Sequence, residues 1–143
     1  TVKMRLYASP EYLQVRGTPK RMEDLSSHRL ICLHAGSPQV AAGATLVQEL
    51  LTYDIPSTLT VNNYFGVLQA VLSNLGIGVL PDYLTEEFPN LVRVLPNTES
   101  NEVPVFLAYP EELRQSKRVT AFRDFVTEEV IAHRRRIKED PPA

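Results

Sequence analysis

Two adjacent asparagines and a tyrosine, Asn62, Asn63 and Tyr64, lie at the junction between two apolar segments of the chain. The segment before them, Thr58–Val61, is β-branched and apolar like a strand, and the segment after them has helical periodicity. An asparagine at a helix start can cap the helix, and the N–H groups of the first turn bind polar or anionic groups. We therefore expect this junction to cap a helix and also to contact a polar or anionic ligand.

A second polar segment, formed by His34, Ala35, Gly36 and Ser37, follows the apolar run Leu30–Leu33. Histidine titrates near neutral pH, and a serine hydroxyl donates or accepts hydrogen bonds. If Leu30–Leu33 is a strand parallel to its neighbour, this turn opens at the same sheet edge as the asparagines. The residues alone also fit an ordinary surface turn, so both interpretations stay open.

Metal and nucleophile chemistry are poorly supported by the residues. Cys32 and His34 are two apart and can share a strand face, but a metal site needs three or four ligands, and the other histidines are His28 and His133. No base or oxyanion-hole motif accompanies the cysteine. We predict no metal, no cofactor and no catalytic residue.

The glycines of Gly76-Ile77-Gly78 do not form a nucleotide-binding motif. A dinucleotide fingerprint follows a strand and opens a helix, whereas these glycines follow a helical pattern and precede a strand. Their interpretation is structural, with Gly76 predicted to end the helix at positive φ. The basic run Arg134-Arg135-Arg136 is interpreted as the end of a helix, where cations stabilise the dipole, and not as a DNA contact.

The segment Thr58–Leu84 is predicted to form a strand, a helix and a second strand. This unit positions the asparagines, which lie where the first strand meets the helix. Its helical apolar face is predicted from Phe65, Leu68, Val71 or Leu72, and Leu75, and its second strand from Ile77–Leu80. Such a compact unit implies parallel strands with a right-handed crossover.

The rest of the chain alternates between apolar runs and helical patterns. Strands are predicted at Val2–Ala8, Leu30–Leu33, Leu91–Leu95 and Val103–Tyr109. Helices are predicted after Ser9-Pro10, after Thr18-Pro19, over Ala44–Tyr53, over Asp82–Phe88 with Tyr83 and Leu84 inward, and after Ser116 with an inner stripe of Val119, Phe122, Phe125, Val126 and Val130. This order predicts an α/β fold with a largely parallel sheet.

Composition excludes several classes of protein. The 143 residues are 43% hydrophobic with a net charge of −2, which suits one globular core and gives no overall electrostatic attraction for nucleic acid. No apolar run approaches the roughly 20 residues of a membrane span, and no secretory signal is visible. The single cysteine fits a reducing compartment. The chain begins without methionine and almost at once in a strand pattern, so we expect a fragment of a longer protein.

Three segments together resemble a known family. RLYASPEYLQVRGTPKRMEDLSSHRLICL, VNNYFGVLQAVLSNLGIGVLPDYL and VPVFLAYPEELRQSKRVTAFRDFV are similar, in order and spacing, to the effector-binding region of LysR-type transcriptional regulators. The resemblance covers nearly the whole chain. It implies two Rossmann-like halves of the periplasmic-binding-protein type II fold, with an effector bound in the cleft between them.

The resemblance also implies a domain organisation. Residues 1–102 would form the second effector-binding subdomain, and residues 103–143 would supply the returning strand, last helix and tail of the first subdomain. That returning segment would then expose apolar surface or pair between chains. The DNA-binding domain would lie outside this chain. The effector is expected to contact Asn62, Asn63, Tyr64 and the His34–Ser37 turn.

The leading hypothesis is thus a cytoplasmic metabolite sensor that controls transcription as a homodimer or homotetramer, without membrane contact. The partners implied are a small-molecule effector and, through the other domain, DNA. Two alternatives are a solute-binding protein of a transporter and a small α/β enzyme. A helix-turn-helix pattern, a signal peptide or neither upstream would separate the three.

Overall fold

A computed structural model of the chain describes residues 1–34, 46, 50, 53, 55, 57–98 and 102–139, apart from the side chains of 134 and 136–139. The chain divides into two compact units, Thr1–Pro104 and Val105–Ala143.

The first unit contains a five-stranded mixed sheet. Its strands are β1 (Met4–Ala8), β2 (Leu30–Leu33), β3 (Ser57–Val61), β4 (Ile77–Pro81) and β5 (Val92–Val94), in the order β3-β2-β4-β1-β5. β2 is parallel to β3 and to β4, whereas β1 is antiparallel to both β4 and β5. Four strands therefore share one direction, and the predicted α/β fold with a largely parallel sheet is confirmed.

Short helices connect these strands. They are α1 (Pro10–Arg16), a 3₁₀ helix (Met22–Ser27), α2 (Tyr64–Leu72) and α3 (Asp82–Thr85). Leu46 and Leu50 are helical and buried. The other residues of the predicted helix Ala44–Tyr53 lie outside the described part of the chain, except Tyr53.

Local sequence fixes the start of α1 as predicted. The Ser9 hydroxyl accepts a hydrogen bond from the Tyr12 N–H at 3.2 Å, and Pro10 occupies the first turn. The helix ends at Gly17, whose φ is +82°. The next helix starts later than the predicted Thr18-Pro19 signal, because the Asp24 carboxylate accepts the N–H groups of Lys20 and Arg21 at 2.9 and 3.0 Å.

The core forms two clusters of buried apolar residues. The larger contains Met4, Leu6, Ala8, Tyr12, Leu13, Leu25, Leu30, Leu46, Leu50, Ile77, Val79, Val94 and Leu95. The smaller contains Tyr7, Ile31, Val67, Leu68, Ala70, Val71 and Leu80. Successive residues of β1 alternate between the clusters, Leu6 in the larger and Tyr7 in the smaller, as the pleat of a strand requires.

The strand–helix–strand unit is present, but its crossover passes over another strand. β3 and β4 are parallel, as predicted, yet β2 lies between them. α2 buries Val67 and Val71 against the sheet, and Gly78 of β4 lies directly under them. A Cβ at position 78 would lie 2.6 Å from Val67 Cγ1 and 2.7 Å from Val71 Cγ2. Gly78 therefore sets how closely the helix approaches the sheet.

The prediction that Gly76 ends this helix at positive φ is wrong. Positive φ occurs at Asn74, with φ 63°, and not at Gly76. The Asn74 and Leu75 N–H groups donate to the Val71 and Ala70 carbonyls at 3.0 and 3.1 Å, which is a Schellman motif with asparagine at its left-handed position. Gly76 is instead required by a close backbone approach, because a Cβ there would lie 2.4 Å from the Arg29 carbonyl oxygen.

Phe65 and Leu75, predicted to face inward, are 67% and 39% exposed. The contacts of Val67 and Val71 with Gly78 fix the rotation of α2 about its axis. At 100° per residue, this rotation turns Phe65 away from the sheet. The helical periodicity is confirmed, but the predicted inner face is wrong at Phe65, and Leu75 lies beyond the end of α2 at Leu72.

The second unit contains a 3₁₀ helix (Glu111–Leu113) and α4 (Lys117–Glu139). The predicted strand Val103–Tyr109 is wrong, because Val103 forms only an isolated antiparallel bridge with Val2 and no strand is assigned over 104–110. Apolar side chains of the predicted inner stripe are largely exposed, with Phe122 at 59% and Phe125 at 61%. A strand forms only where a neighbour satisfies its N–H and C=O groups. None of the described helices is long and apolar enough to cross a bilayer.

Candidate functional site

The carboxyl ends of β2, β3 and β4 meet at one edge of the sheet. We call this the carboxyl edge and define it by the residues that follow the three strands: His34, Asn62–Tyr64 and Asp82–Tyr83. The His34 N–H donates to the Val61 carbonyl at 2.7 Å, so His34 lies beside the first asparagine. The structure thus brings His34 and the asparagines together. Ala35, Gly36 and Ser37 lie outside the described residues.

Asn63 is the N-cap of α2. Its Oδ1 accepts a hydrogen bond from the Gly66 N–H at 2.8 Å, and its Nδ2 donates to Asn62 Oδ1 at 2.7 Å. The predicted capping role is confirmed. Both side chains are exposed, so the bond between them orients Asn62 at the surface while Asn63 stabilises the helix.

Tyr64 joins this surface to the interior. It is half-buried and packs against both core clusters. Burial raises the pKa of its phenol, and the nearby Tyr83 raises it further. Tyr64 is therefore neutral at physiological pH and offers a hydroxyl that can donate or accept.

Tyr83 and Asp82 extend the carboxyl edge beyond the residues that the sequence predicts for it. Tyr83 was predicted inward but is 49% exposed. The Asp82 N–H donates to the Lys3 carbonyl at 2.9 Å, and the Lys3 N–H donates to Asp82 Oδ1 at 3.4 Å. These bonds attach the beginning of β1 to the end of β4. The signal was available, because Pro81-Asp82-Tyr83 is also a strand-to-helix junction.

Cys32 has the environment of a structural cysteine. It is half-buried beside Leu50 and Tyr64 around a small cavity of about 30 Å³. Burial raises the pKa of its thiol, and a hydrogen bond with Ser57 opposes that rise only in part. A thiol held in its protonated form is a poor nucleophile. Among the described residues, no three His, Cys, Asp or Glu side chains lie close enough to hold a metal ion.

At the opposite edge of the sheet, His28 and Tyr12 form a buried polar pair. Tyr12 Oη lies 3.2 Å from His28 Nδ1 and accepts the Arg29 N–H at 2.9 Å. The two residues are 5% and 4% exposed. Since Arg29 supplies a proton to the phenol oxygen, the phenol can donate its own to Nδ1, which fits a neutral imidazole. Burial, then the charge of Arg16, lower the pKa of His28, and Asp24 opposes them.

The pair makes stability depend on pH. A histidine whose pKa is lowered in the folded state binds a proton more readily in the unfolded chain. Its contribution to stability is therefore complete above the unfolded pKa of about 6.5 and is lost as the pH falls from that value through the lower folded pKa. We expect the urea midpoint of unfolding to decrease as the pH is lowered from 7.5 to 5.5. His28→Gln should flatten this dependence, and His133→Gln, an exposed control, should not. A wild-type midpoint that is constant or rises toward pH 5.5 would contradict the assignment.

The mixed sheet with one reversed strand defines a Rossmann-like α/β domain of the periplasmic-binding-protein type II class. The chain belongs to the LysR substrate binding domain family, whose family model matches residues 1–131. The resemblance inferred from the sequence is therefore confirmed.

Named relatives are transcriptional regulators. The chain is 30% identical over 124 residues to the HTH-type transcriptional regulator YhjC of Escherichia coli, covering 83% of this chain and 42% of that protein. It is 29% identical over 133 residues to the HTH-type transcriptional regulator CrgA of Neisseria meningitidis, covering 90% of this chain and 44% of that protein. The chain thus spans less than half the length of these curated relatives.

The solved structures that the chain resembles are also regulatory domains. The CrgA regulatory domain superposes with a TM-score of 0.75 at 27% identity, covering 90% of this chain and 64% of that one. The regulatory domain of AphB from Vibrio vulnificus superposes with a TM-score of 0.66 at 25% identity, covering 90% and 65%. Both neighbours are regulatory domains, and CrgA is a LysR-type transcriptional regulator.

Proposed function

We propose that this chain is the effector-sensing part of a LysR-type transcriptional regulator and that its effector binds at the carboxyl edge. The observation that carries the proposal is the convergence of His34, Asn62 and Tyr64 at one sheet edge, in a chain of the LysR substrate binding domain family. In open α/β sheets, ligands bind outside the carboxyl ends of the strands. Asn62, Asn63, Tyr64 and the His34–Ser37 turn are the proposed contacts, and exposed Tyr83 is added to them.

The proposed mechanism is a shift between two arrangements of two subdomains. Residues 1–102 would form one wall of the cleft, and residues 103–143 would complete the other subdomain. The exposed apolar face of α4, including Phe122 and Phe125, supports this assignment, because such a face needs a partner. The effector would act only through its different affinity for the open and closed arrangements.

The proposal extends to the whole protein. A DNA-binding domain outside this chain would read the operator, and a homodimer or homotetramer in the cytoplasm would couple effector closure to DNA contacts. The protein would have no catalytic activity and no cofactor. A transporter's solute-binding protein is not favoured, since YhjC and CrgA are transcriptional regulators.

The test is a thermal-shift screen of the full-length regulator against small metabolites, followed by titration of the best hit. We expect Asn62→Ala to weaken binding roughly 3- to 10-fold, because one hydrogen bond contributes about 0.5–1.5 kcal/mol. Asn62 is the appropriate choice, since Asn63→Ala would also remove the helix cap and cost about 1 kcal/mol of stability.

Gln69→Ala is the matched control, because Gln69 is exposed on α2 but lies more than one turn from the carboxyl edge. It should leave binding unchanged. Equal binding of the best hit to wild type and Asn62→Ala would refute the proposed contact. An effector that binds but leaves operator affinity and transcription unaltered would refute the sensing function.

A further inference from the structure

A cleft of about 310 Å³ lies at the sheet edge opposite the carboxyl edge, and we call it the amino-edge cleft. Its lining residues are Glu11, Tyr12, Val15, Arg16, Arg29 and Asn74. One wall is α1, which contributes the two adjacent rows Glu11–Val15 and Tyr12–Arg16, each with i, i+4 spacing. The other wall is formed by Arg29, just before β2, and Asn74, in the turn before β4. The volume is at the lower end of small-molecule sites.

The cleft carries three charged groups that do not neutralise one another. Within the part of the chain that the structure describes, the side chains of Glu11, Arg16 and Arg29 form no ion pair. Two guanidinium groups and one carboxylate give the cleft a net charge of +1. Both arginines and the glutamate are exposed, so a ligand entering from solvent can reach them.

The floor and one wall of the cleft are held rigidly. Tyr12 is buried and fixed by its hydrogen bonds with His28 and the Arg29 N–H. Asn74 is fixed in the left-handed conformation by the Schellman motif at the end of α2. The backbones that carry Arg16, Arg29 and Asn74 are therefore positioned before any ligand arrives, which reduces the entropy cost of binding.

We propose that the amino-edge cleft binds a small α-amino acid with an acidic side chain. Its two carboxylates would be bound by Arg16 and Arg29, since a guanidinium presents paired donors that match a carboxylate. Its ammonium group would donate to Glu11, and its short aliphatic stem would pack on Val15. Such a ligand has two negative charges and one positive charge, the complement of the cleft. A simple dicarboxylate would leave Glu11 facing a like charge.

Isothermal titration of the full-length protein with L-glutamate and with glutarate tests the proposal, because the two share a five-carbon dicarboxylate and only glutamate carries the ammonium group. We expect glutamate to bind at least 10-fold more tightly. Glu11→Gln should reduce that preference to less than 3-fold. Arg16→Gln and Arg29→Gln should each weaken glutamate binding by 10-fold or more.

Control variants separate a local site from general electrostatics. Lys20→Gln and Glu23→Gln change exposed charges outside the cleft lining and should leave both affinities unchanged. Circular dichroism would verify that each variant is folded. Equal affinity of the wild type for glutamate and glutarate, no glutamate binding at millimolar concentration, or glutamate affinity insensitive to Arg29→Gln would each overturn the proposal.

The site is independent of the proposed effector site, and the same titration distinguishes them. Asn62→Ala should leave glutamate binding unchanged, since Asn62 lies at the other edge of the sheet. If Asn62→Ala abolishes glutamate binding while Arg29→Gln does not, glutamate binds at the carboxyl edge and the amino-edge inference is wrong. That outcome would leave the proposed sensing function intact.

Discussion

Replacing Gly76 with alanine is expected to lower the free energy of unfolding by about 3 kcal/mol, at the upper end of the usual cost of overpacking. The added Cβ would lie 2.4 Å from the Arg29 carbonyl oxygen and 3.0 Å from its carbon. These are backbone atoms, and the same carbonyl accepts the Ile77 N–H at 2.8 Å, so it cannot rotate away without breaking the pairing of β2 and β4. Urea unfolding of wild type and variant, followed by circular dichroism, measures the loss.

Gly66→Ala is the matched control. A Cβ at position 66 would lie 3.2–3.4 Å from side-chain atoms of Val61, which can adjust. Alanine also favours the helix over glycine by about 0.8–1 kcal/mol, which offsets the crowding. We expect a change within about 1 kcal/mol. If Gly76→Ala costs no more than Gly66→Ala, the close backbone approach is not a determinant of stability.

Tyr12→Phe is expected to lower the free energy of unfolding by about 2 kcal/mol, because a buried partner left without its hydrogen bond costs about 1–3 kcal/mol. The phenol oxygen accepts the Arg29 N–H at 2.9 Å and lies 3.2 Å from His28 Nδ1. Both partners would lose their bond to Tyr12, while the ring, which packs in the larger core cluster, would remain.

Tyr83→Phe is the control for this substitution, because Tyr83 is half exposed, where water can hydrogen-bond to its hydroxyl. Its effect should stay within about 0.5 kcal/mol, as for most surface substitutions. Equal urea midpoints for Tyr12→Phe and wild type would mean that the Tyr12–His28 pair contributes nothing to stability.

Features with local causes were predictable from the sequence. Ser9-Pro10 and Asn63 start their helices where predicted, because a cap is satisfied within three residues of itself. The apolar runs at Leu30–Leu33 and Ile77–Leu80 became strands because continuous apolar segments of that length need burial on both faces. The placement of His34 beside Asn62 followed from the direction of parallel strands alone.

Features that depend on a neighbour were not predictable. The apolar run Val103–Tyr109 has the sequence pattern of a strand. A strand also needs a neighbouring strand to pair with, and in this run pairing is limited to the Val2–Val103 bridge. Phe65 fits a helical apolar face by spacing, yet the rotation of α2 is set by its contact with Gly78 on β4. The prediction that Tyr83 points inward was wrong for a different reason. Its helix, α3, is too short for periodicity to define a buried face.

The sequence by itself determined the class of fold, the N-caps Ser9 and Asn63, the strands of the first unit, and the family to which the chain belongs. It also located the asparagines at a strand-to-helix junction, where a cap is a local hydrogen bond. The tertiary structure alone decided that β2 lies between β3 and β4, that Gly76 is required by the Arg29 carbonyl, and that Arg16 and Arg29 share a cleft. These features arise from residues far apart in the chain, and close packing of backbones, not local preference, brings them together.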